Sequence, residues 1–393
     1  MPKPKDAPST PAERAARLRA LRDEKTCESA HAFVRANAAL FYATLAAHPS
    51  CVVGPSIWVS GDAHVENAGA VCDAKGNVEL ALNDFDESVV GNPSFDVARL
   101  ALSLATLLRS AGFSAVDVRT TTAAIADGYE GALEHPSKKA PPKAARLVRM
   151  LEGAARADRK DLLTRLTGDD HPSALPIGDR FWPLSAAGRA AIEALVSEDA
   201  VATLVKLGGD DAKCKVRFVD AVFRVAGTAS LGGFRAAALI EVDGAAKGER
   251  LRVLDLKEVQ PAVTPRDDAR TPKDDAERIL QGTRALAPAF GARKLGAVVQ
   301  GRSVIVRELM AQERKVNLDG CKRDELADLG GSFGEMLGRA HGRQLEANVA
   351  RAWRSTFAAR RPDGAPPSWL WDALSSLVAA HGHAYLEHAG GAR

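Results

Sequence analysis

WVSGDAHVENAGAVCDAKGNVELALNDFDESVVGNPSFDVARL, residues 58–100, packs a dense set of ionisable groups between short apolar runs. Ile57, Trp58 and Val59 form an apolar run that breaks at Ser60 and Gly61. Asp62, His64, Glu66 and Asn67 are therefore expected on a loop leaving a strand. Residues 71–72 and 78–82 are apolar segments joined by the turn-like Asp73 to Asn77 stretch, which reads as a hairpin. Its second strand runs directly into Asn83, Asp84, Phe85, Asp86 and Glu87. Gly91, Asn92 and Pro93 make a turn, after which Ser94 or Asp96 caps a helix with Val97, Leu100, Ala101, Leu104 and Leu108 on its apolar face.

The acids thus fall at element ends, where side chains from different segments can converge. Asn67 and Asp84 offer oxygen ligands of the kind that Mg²⁺ takes alongside phosphate oxygens and water. Asp62 and His64 are the candidate catalytic groups, Asp62 as acceptor of a proton from a nucleophile.

Farther along, residues 215–225 and 234–242 read as strands around the small-residue loop AGTASLGG, in which Gly227, Thr228, Ser230, Gly232 and Gly233 let backbone N–H groups approach phosphate. The loop is not a Walker A motif. Residues 250–259 alternate as a strand and set Lys257 among Leu254, Leu256 and Val259, a place that calls for an anionic partner. Thr271 and Pro272 look like a helix start, and the helix carries Glu277. Glu277 is the expected partner of Lys257. Residues 295–299 and 304–309 complete a five-stranded sheet with one helix.

The spacing Asp62-x-x-x-x-Asn67, the later Asp84, and Gly91-Asn92-Pro93-x-x-Asp96 resemble the catalytic loop, metal-binding Asp and trailing structural Asp of aminoglycoside and choline phosphotransferases, members of the protein-kinase-like superfamily. The motif order is inverted, with Asp62, Asn67 and Asp84 ahead of Gly227, Lys257 and Glu277. The expected fold is therefore α+β, a kinase-like two-lobe fold in circular permutation, which is tolerable where termini and new connections lie at the surface. KTCESAHAFVRANAALFYATL, GDAHVEN, NDFDE, AGTASLGGFR and DLKEVQP, in that order, closely resemble the bacterial family catalogued as domain of unknown function 2252. The resemblance implies Asp62 as catalytic base, Asn67 and Asp84 as Mg²⁺ ligands with Asp86 and Glu87 adding metal or substrate contacts, Lys257 and Glu277 as the phosphate-holding pair, residues 227–233 as the phosphate loop, and Glu308 to Ala311, Met310 included, as a hinge whose backbone groups bind adenine, with ATP and Mg²⁺ as cofactors.

The expected divisions are a flexible tail at 1–25, within which Thr10, Pro11 and Glu13 look like the start of a helix, a first helical catalytic part at 26–212, a nucleotide-binding lobe at 213–312 and a second helical part at 313–393. Arg35, on a helix expected over 28–47, aims either at a surface partner or at phosphate and a motif carboxylate. His341 reads as a packed histidine.

The 393 residues are 46% hydrophobic and 26% charged with a formal net charge of +3, so no basic field argues for nucleic acid as the main partner. The basic run through Lys138, Lys139, Lys143, Arg146 and Arg149 reads as a solvated face. Five scattered cysteines without a CxxC pair argue against a zinc site or disulfide framework and fit a reducing cytoplasm. No run approaches a membrane span. The expected activity is phosphoryl transfer to a hydroxyl of a small molecule. Transfer of AMP and an ATP-binding or protein-binding scaffold stay open, and the Gly61-Asp62-x-His64 echo of metallophosphoesterases lacks the further motifs of those enzymes.

Overall fold

The computed structural model describes residues 7–391, apart from 9, 49, 74, 137–141, 170–171, 207–214, 229–230, 246–249 and 360. Ser230 of the expected phosphate loop, Lys138 and Lys139 of the basic run, and Cys214 lie outside the described residues.

The chain opens with α1 (Pro11–Cys27), α2 (Ala30–Ala36) and α3 (Ala38–Ala47). A Thr10–Glu13 capping box with Pro11 at the first position starts α1. The helix start expected at Thr10 and Pro11 is thus present, and from it residues 11–25 are packed helix and not flexible tail. Leu18 is buried beside Trp182 and Phe223, and the Arg14 guanidinium lies 5.3 Å from the Phe223 ring centre while donating to the Pro183 carbonyl. The single helix expected over 28–47 is broken at Asn37, whose φ of −126° and ψ of 59° leave the helical region.

Next come β1 (Ile57–Val59), β2 (Ala68–Cys72), β3 (Val78–Leu82) and β4 (Val89–Gly91). β2 and β3 form the expected hairpin, with Asp73 Oδ1 accepting the Lys75 and Asn77 N–H groups in the turn. β1 pairs antiparallel with β4, which brings the two ends of the acid-rich stretch side by side. α4 (Pro93–Ser110) is capped by Asn92 rather than Ser94 or Asp96, because the Asn92 side chain accepts the Ser94 N–H and frees Asp96 for another task.

The helical body is built from α4, α5 (Ala115–Glu134), α6 (Ala145–Ala155) and α7 (Arg159–Thr167), and is completed by C-terminal segments described below. β5 (Phe181–Trp182), α8 (Ala186–Val196), α9 (Asp199–Lys206), β6 (Lys215–Arg224), β7 (Arg235–Asp243), β8 (Leu251–Glu258), α10 (Asp275–Leu286), α11 (Pro288–Gly291), β9 (Lys294–Val299) and β10 (Arg302–Glu308) make the second layer. Its sheet has six strands in the order β5-β6-β7-β8-β10-β9, not five. The extra edge strand is two residues long, too short for alternation to reveal it.

Side chains alternate across this sheet. Ala236, Ala238, Ile240, Leu254 and Leu256 pack under α8 and α9 on one face. Ala237, Leu239 and Val253 face the other way toward Leu162 and Leu163 of α7. Beyond these residues, the same second face turns charged and opens onto a cleft.

β11 (Arg314–Lys315) joins the β2–β3 hairpin as a third strand. α12 (Leu326–Gly342), α13 (Ala347–Phe357) and α14 (Ser368–Gly391) then return to the helical body. α12 crosses α5 so closely that a Cβ on Gly334 would stand 2.0 Å from the Ile125 carbonyl oxygen, and glycine is required there for the two backbones to meet. One apolar core runs through α4, α5, α12 and the hairpin. The molecule is thus α+β. Among the described residues no helix is long and apolar enough to cross a membrane.

Candidate active site

Between the sheet and the helical body lies a cavity of about 550 Å³. Asp62, His64, Asn67, Asp84 and Asp86 line it from the helical body, and Lys257, Gly227, Thr228 and Met310 line it from the sheet layer. Chain segments read separately in the sequence therefore meet at one place.

The loop carrying Asp62 is anchored from below. Asp96, wholly buried, accepts the Ser60 N–H at 2.7 Å on Oδ2 and the Gly61 N–H at 2.9 Å on Oδ1, and His341 Nε2 stands 3.1 Å from Oδ2. His341 is itself buried and bonded to the Tyr129 hydroxyl at 3.0 Å, so it is a packed histidine as expected. Gly61 turns the loop with φ of +73°, and its carbonyl accepts the Tyr42 hydroxyl at 2.6 Å. A Cβ at Gly61 would sit 2.2 Å from the Glu87 carbonyl oxygen.

Arg99, nearly two turns into α4 and fully buried, donates from Nε to Asp62 Oδ1 at 2.8 Å. Burial raises the Asp62 carboxyl above its usual range, and the Arg99 guanidinium opposes that without cancelling it. Asn67 Nδ2 donates to the Asp62 carbonyl at 3.0 Å. His64 is buried behind Asp62, its Nε2 3.6 Å from Asp62 Oδ2. Burial, then the Arg99 and Arg35 charges, hold the His64 imidazole well below its usual range, so it is neutral at pH 7.

Lys257 crosses from β8 to the opposite wall. Its Nζ lies 3.1 and 3.2 Å from the Asp84 oxygens and 2.6 Å from Asp86 Oδ2. Burial disfavours this ammonium, but the two carboxylates outweigh burial and raise its pKa. Burial also works against the Asp84 carboxylate, yet Lys257 and Lys294 win and hold it below the usual range. Burial and the neighbouring Asp84 charge raise Asp86 instead. Glu87, accepting from the Val263 and Thr264 N–H groups and the Thr264 hydroxyl, is pushed up by burial to about 7.

The expected Lys257–Glu277 pair is not formed. α10 begins at Asp275 with Asp274 as its cap, not at Pro272 with Thr271, and Thr271 instead accepts the Val90 N–H. In that phase Glu277 faces solvent and bonds Gln281, while Arg278 turns inward. The fully buried Arg278 donates to the Asp86 and Ser88 carbonyls at 2.7 and 2.8 Å and to the Gln260 carbonyl at 2.9 Å, tying α10 to the acid-bearing loop. The Glu308 carboxylate is turned out of the cavity into Arg159, Arg252 and Arg293. Gly232 and Gly233 do not line the cavity, although Gly227 and Thr228 do. Arg35 lines it and pairs with Glu66.

Cations missed in the sequence reading join the site. Arg224, Arg235 and Arg307 surround Asp255 on the sheet face. Lys294 has its Nζ 4.5 Å from the Phe290 ring centre and 4.8 Å from that of Phe85, and burial followed by the Arg307 charge pushes it down to about 7. The strand alternation that singled out Lys257 also puts Asp255 on its face. Ladder register, which brings Arg235 opposite Lys257 and Arg307 opposite Asp255, is not written in any one segment.

The donor set fits a hard cation that keeps phosphate and water among its ligands. Two carboxylates and one amide face one space, and the Lys257 ammonium sits among the carboxylates as a cation would. Among the described residues no three His, Cys, Asp or Glu side chains are grouped to hold a metal alone, so Asn67, Asp84 and Asp86 would fill only part of the coordination sphere of such a cation.

No curated protein and no solved structure matches the chain. A family model described as an uncharacterized protein conserved in bacteria (DUF2252) matches residues 14–390. Spanning nearly the whole chain, that match includes both walls of the cavity and every element that positions them, and the chain belongs to this bacterial family.

Proposed function

We propose that the cleft transfers a phosphoryl group from a nucleoside triphosphate such as ATP, with Mg²⁺, to a hydroxyl of a small molecule. The observation that carries this reading is Lys257, which reaches from the sheet to Asp84 and Asp86 in a cavity that also receives Asp62. A cation on one wall and a carboxylate pair plus a positioned carboxylate on the other are the parts that phosphoryl transfer uses. The order of these parts along the chain supports a circularly permuted kinase-like arrangement.

Asn67, Asp84 and Asp86 would hold the metal, which when bound offsets phosphate charge. Lys257, which shares Asp84 and Asp86 with that site, would then be free to hold phosphate oxygens with its ammonium. Asp62 would accept the proton of the acceptor hydroxyl, since its raised pKa brings it closer to the working pH. Arg99 would fix the orientation of that carboxylate, and the Asp96 contacts would fix the loop. His64, neutral and buried, would pack against Asp62 and keep water from its rear face.

The test is ³¹P NMR of the full-length chain with ATP, Mg²⁺ and pools of hydroxyl-bearing small molecules. Acceptor-dependent formation of ADP and a phosphate ester, abolished in Asp84→Asn, is the expected outcome. Pyrophosphate and an AMP adduct would mean nucleotidyl transfer instead. Turnover unchanged in Asp84→Asn would remove this cleft from the reaction.

A further inference from the structure

Every acid that lines the cavity already has partners. Asp62 is held by Arg99, Asp84 and Asp86 share Lys257, Glu313 pairs with Arg307, and Asp255 lies among Arg224, Arg235 and Arg307. Glu87 accepts from the Val263 and Thr264 N–H groups. Lys315 lines the same cavity and, among the described residues, has neither an ion pair nor a side-chain hydrogen bond. Its charge is left for something the cavity takes in.

The place of that charge follows from the strand pairing. β11 sets Lys315 opposite Gly69, two residues beyond Asn67, and the Asn67 amide donates to the Asp62 carbonyl at 3.0 Å. Directly opposed residues share a face of a sheet, and Gly69 has no side chain to fill it. Arg35, in the last turn of α2, also lines the cavity. Glu66 pairs with its Nη2, while its Nε is buried and has no hydrogen-bond partner among the described residues. Burial lowers the pKa of both cations. After burial, the Asp62 charge acts most on Arg35, and the Arg35 charge acts most on Lys315. Asp62, Arg35 and Lys315 therefore share one end of the cavity. Two like charges so placed repel, and an anion that bridges them relieves the repulsion and gains charge-assisted hydrogen bonds.

The donor phosphates have their own cation in Lys257, which reaches in from the sheet. The end that holds Asp62 is where an acceptor must come, because its hydroxyl has to lie within hydrogen-bond reach of that carboxylate. We infer that the acceptor is itself an anion, a hydroxyl compound bearing a carboxylate or phosphate group that Arg35 and Lys315 hold while the hydroxyl faces Asp62. The acceptor oxygen bonds to the γ-phosphorus as the bond to ADP breaks, and the hydroxyl proton passes to Asp62. Amine-bearing acceptors are repelled by the same two cations. This inference rests on the phosphoryl-transfer reading above and names the substrate class for it.

The experiment is transfer from ATP with Mg²⁺ by the full-length chain, read by ³¹P NMR, to pools sorted by charge: neutral polyols, amino alcohols, hydroxy acids and phosphorylated polyols. The expected result is a kcat/KM for the best anionic acceptor at least about tenfold above that of the best neutral or amine acceptor, the two anionic pools separating carboxylate from phosphate. Lys315→Gln should raise the KM for that acceptor about tenfold and leave the KM for ATP within about twofold. Arg35→Gln, which can still bond Glu66, should act in the same direction. A neutral or amine acceptor used as well as any anion overturns the inference and leaves phosphoryl transfer standing, as does a KM for ATP that rises as far as that of the acceptor in Lys315→Gln. Absence of an ester from every pool overturns both the inference and the reading beneath it.

Discussion

Arg99 donates to Asp62 across 2.8 Å from a position wholly removed from solvent, and its second nitrogen donates to the Val34 carbonyl at 2.8 Å. One side chain thereby ties α2, α4 and the Asp62 loop together. Arg99→Leu leaves the Asp62 charge buried without its cation, which costs on the order of 3–5 kcal/mol. Chemical denaturation should show that deficit at pH 7 and a smaller one at pH 5, because the protonated carboxyl is the cheaper buried form. An equal deficit at both values would mean that Asp62 does not depend on this pairing.

Lys257→Met should leave Asp84 and Asp86 facing each other with no ammonium between them. The apo protein loses stability, and Mg²⁺ alone gains a favourable place to bind. We expect the midpoint of thermal unfolding of the variant to rise with millimolar Mg²⁺ by several degrees more than that of the unsubstituted chain. Identical responses would separate these carboxylates from any metal role.

Glu87 gives the molecule a pH signature. Its folded pKa of about 7 stands above the ordinary 4.5, so over that interval the folded chain holds a proton that the unfolded chain has lost. Its contribution to stability is full below pH 4.5 and is lost as pH rises through 7, to a ceiling of about 3 kcal/mol. Glu87→Gln should flatten this part of the stability–pH curve, which denaturant titrations at half-unit pH steps would detect. A slope unchanged by the substitution assigns the dependence elsewhere.

Gly61→Ala adds a Cβ that overlaps the Glu87 carbonyl and the Thr264 hydroxyl at a left-handed backbone position. The expected cost is at least about 2 kcal/mol, with turnover falling further than stability does because the Asp62 loop shifts. Full activity with lowered stability would show that the loop geometry tolerates movement.

Several parts of this arrangement were legible along the chain. The β2–β3 hairpin is declared by two apolar runs around a turn and Lys257 by the alternation of its own strand, and Asp62, Asn67 and Asp84 stand at segment ends. The partner of Lys257 was not legible, because it depends on the phase of α10. Moving the helix start from Pro272 to Asp275 swings Glu277 to solvent and carries Arg278, which reads as a surface residue by type, into the interior. Arg235 and Arg307 were hidden for a related reason. An arginine in a strand looks solvent-facing until the register between strands shows that the exposed side is a cleft. Asp96, read as a helix cap, was displaced by Asn92 and holds the Asp62 loop instead.

The chain order has a consequence for biosynthesis. Asp84 leaves the ribosome 173 positions before Lys257. At roughly 5–20 residues per second, the nascent chain carries its acid-bearing loop for about 9–35 seconds without the cation that balances it. α5 likewise waits for α12, against which its backbone packs. The cleft is therefore among the last features to mature, and a chain cut short before β8 ends with its acidic half made and no opposite wall to close upon.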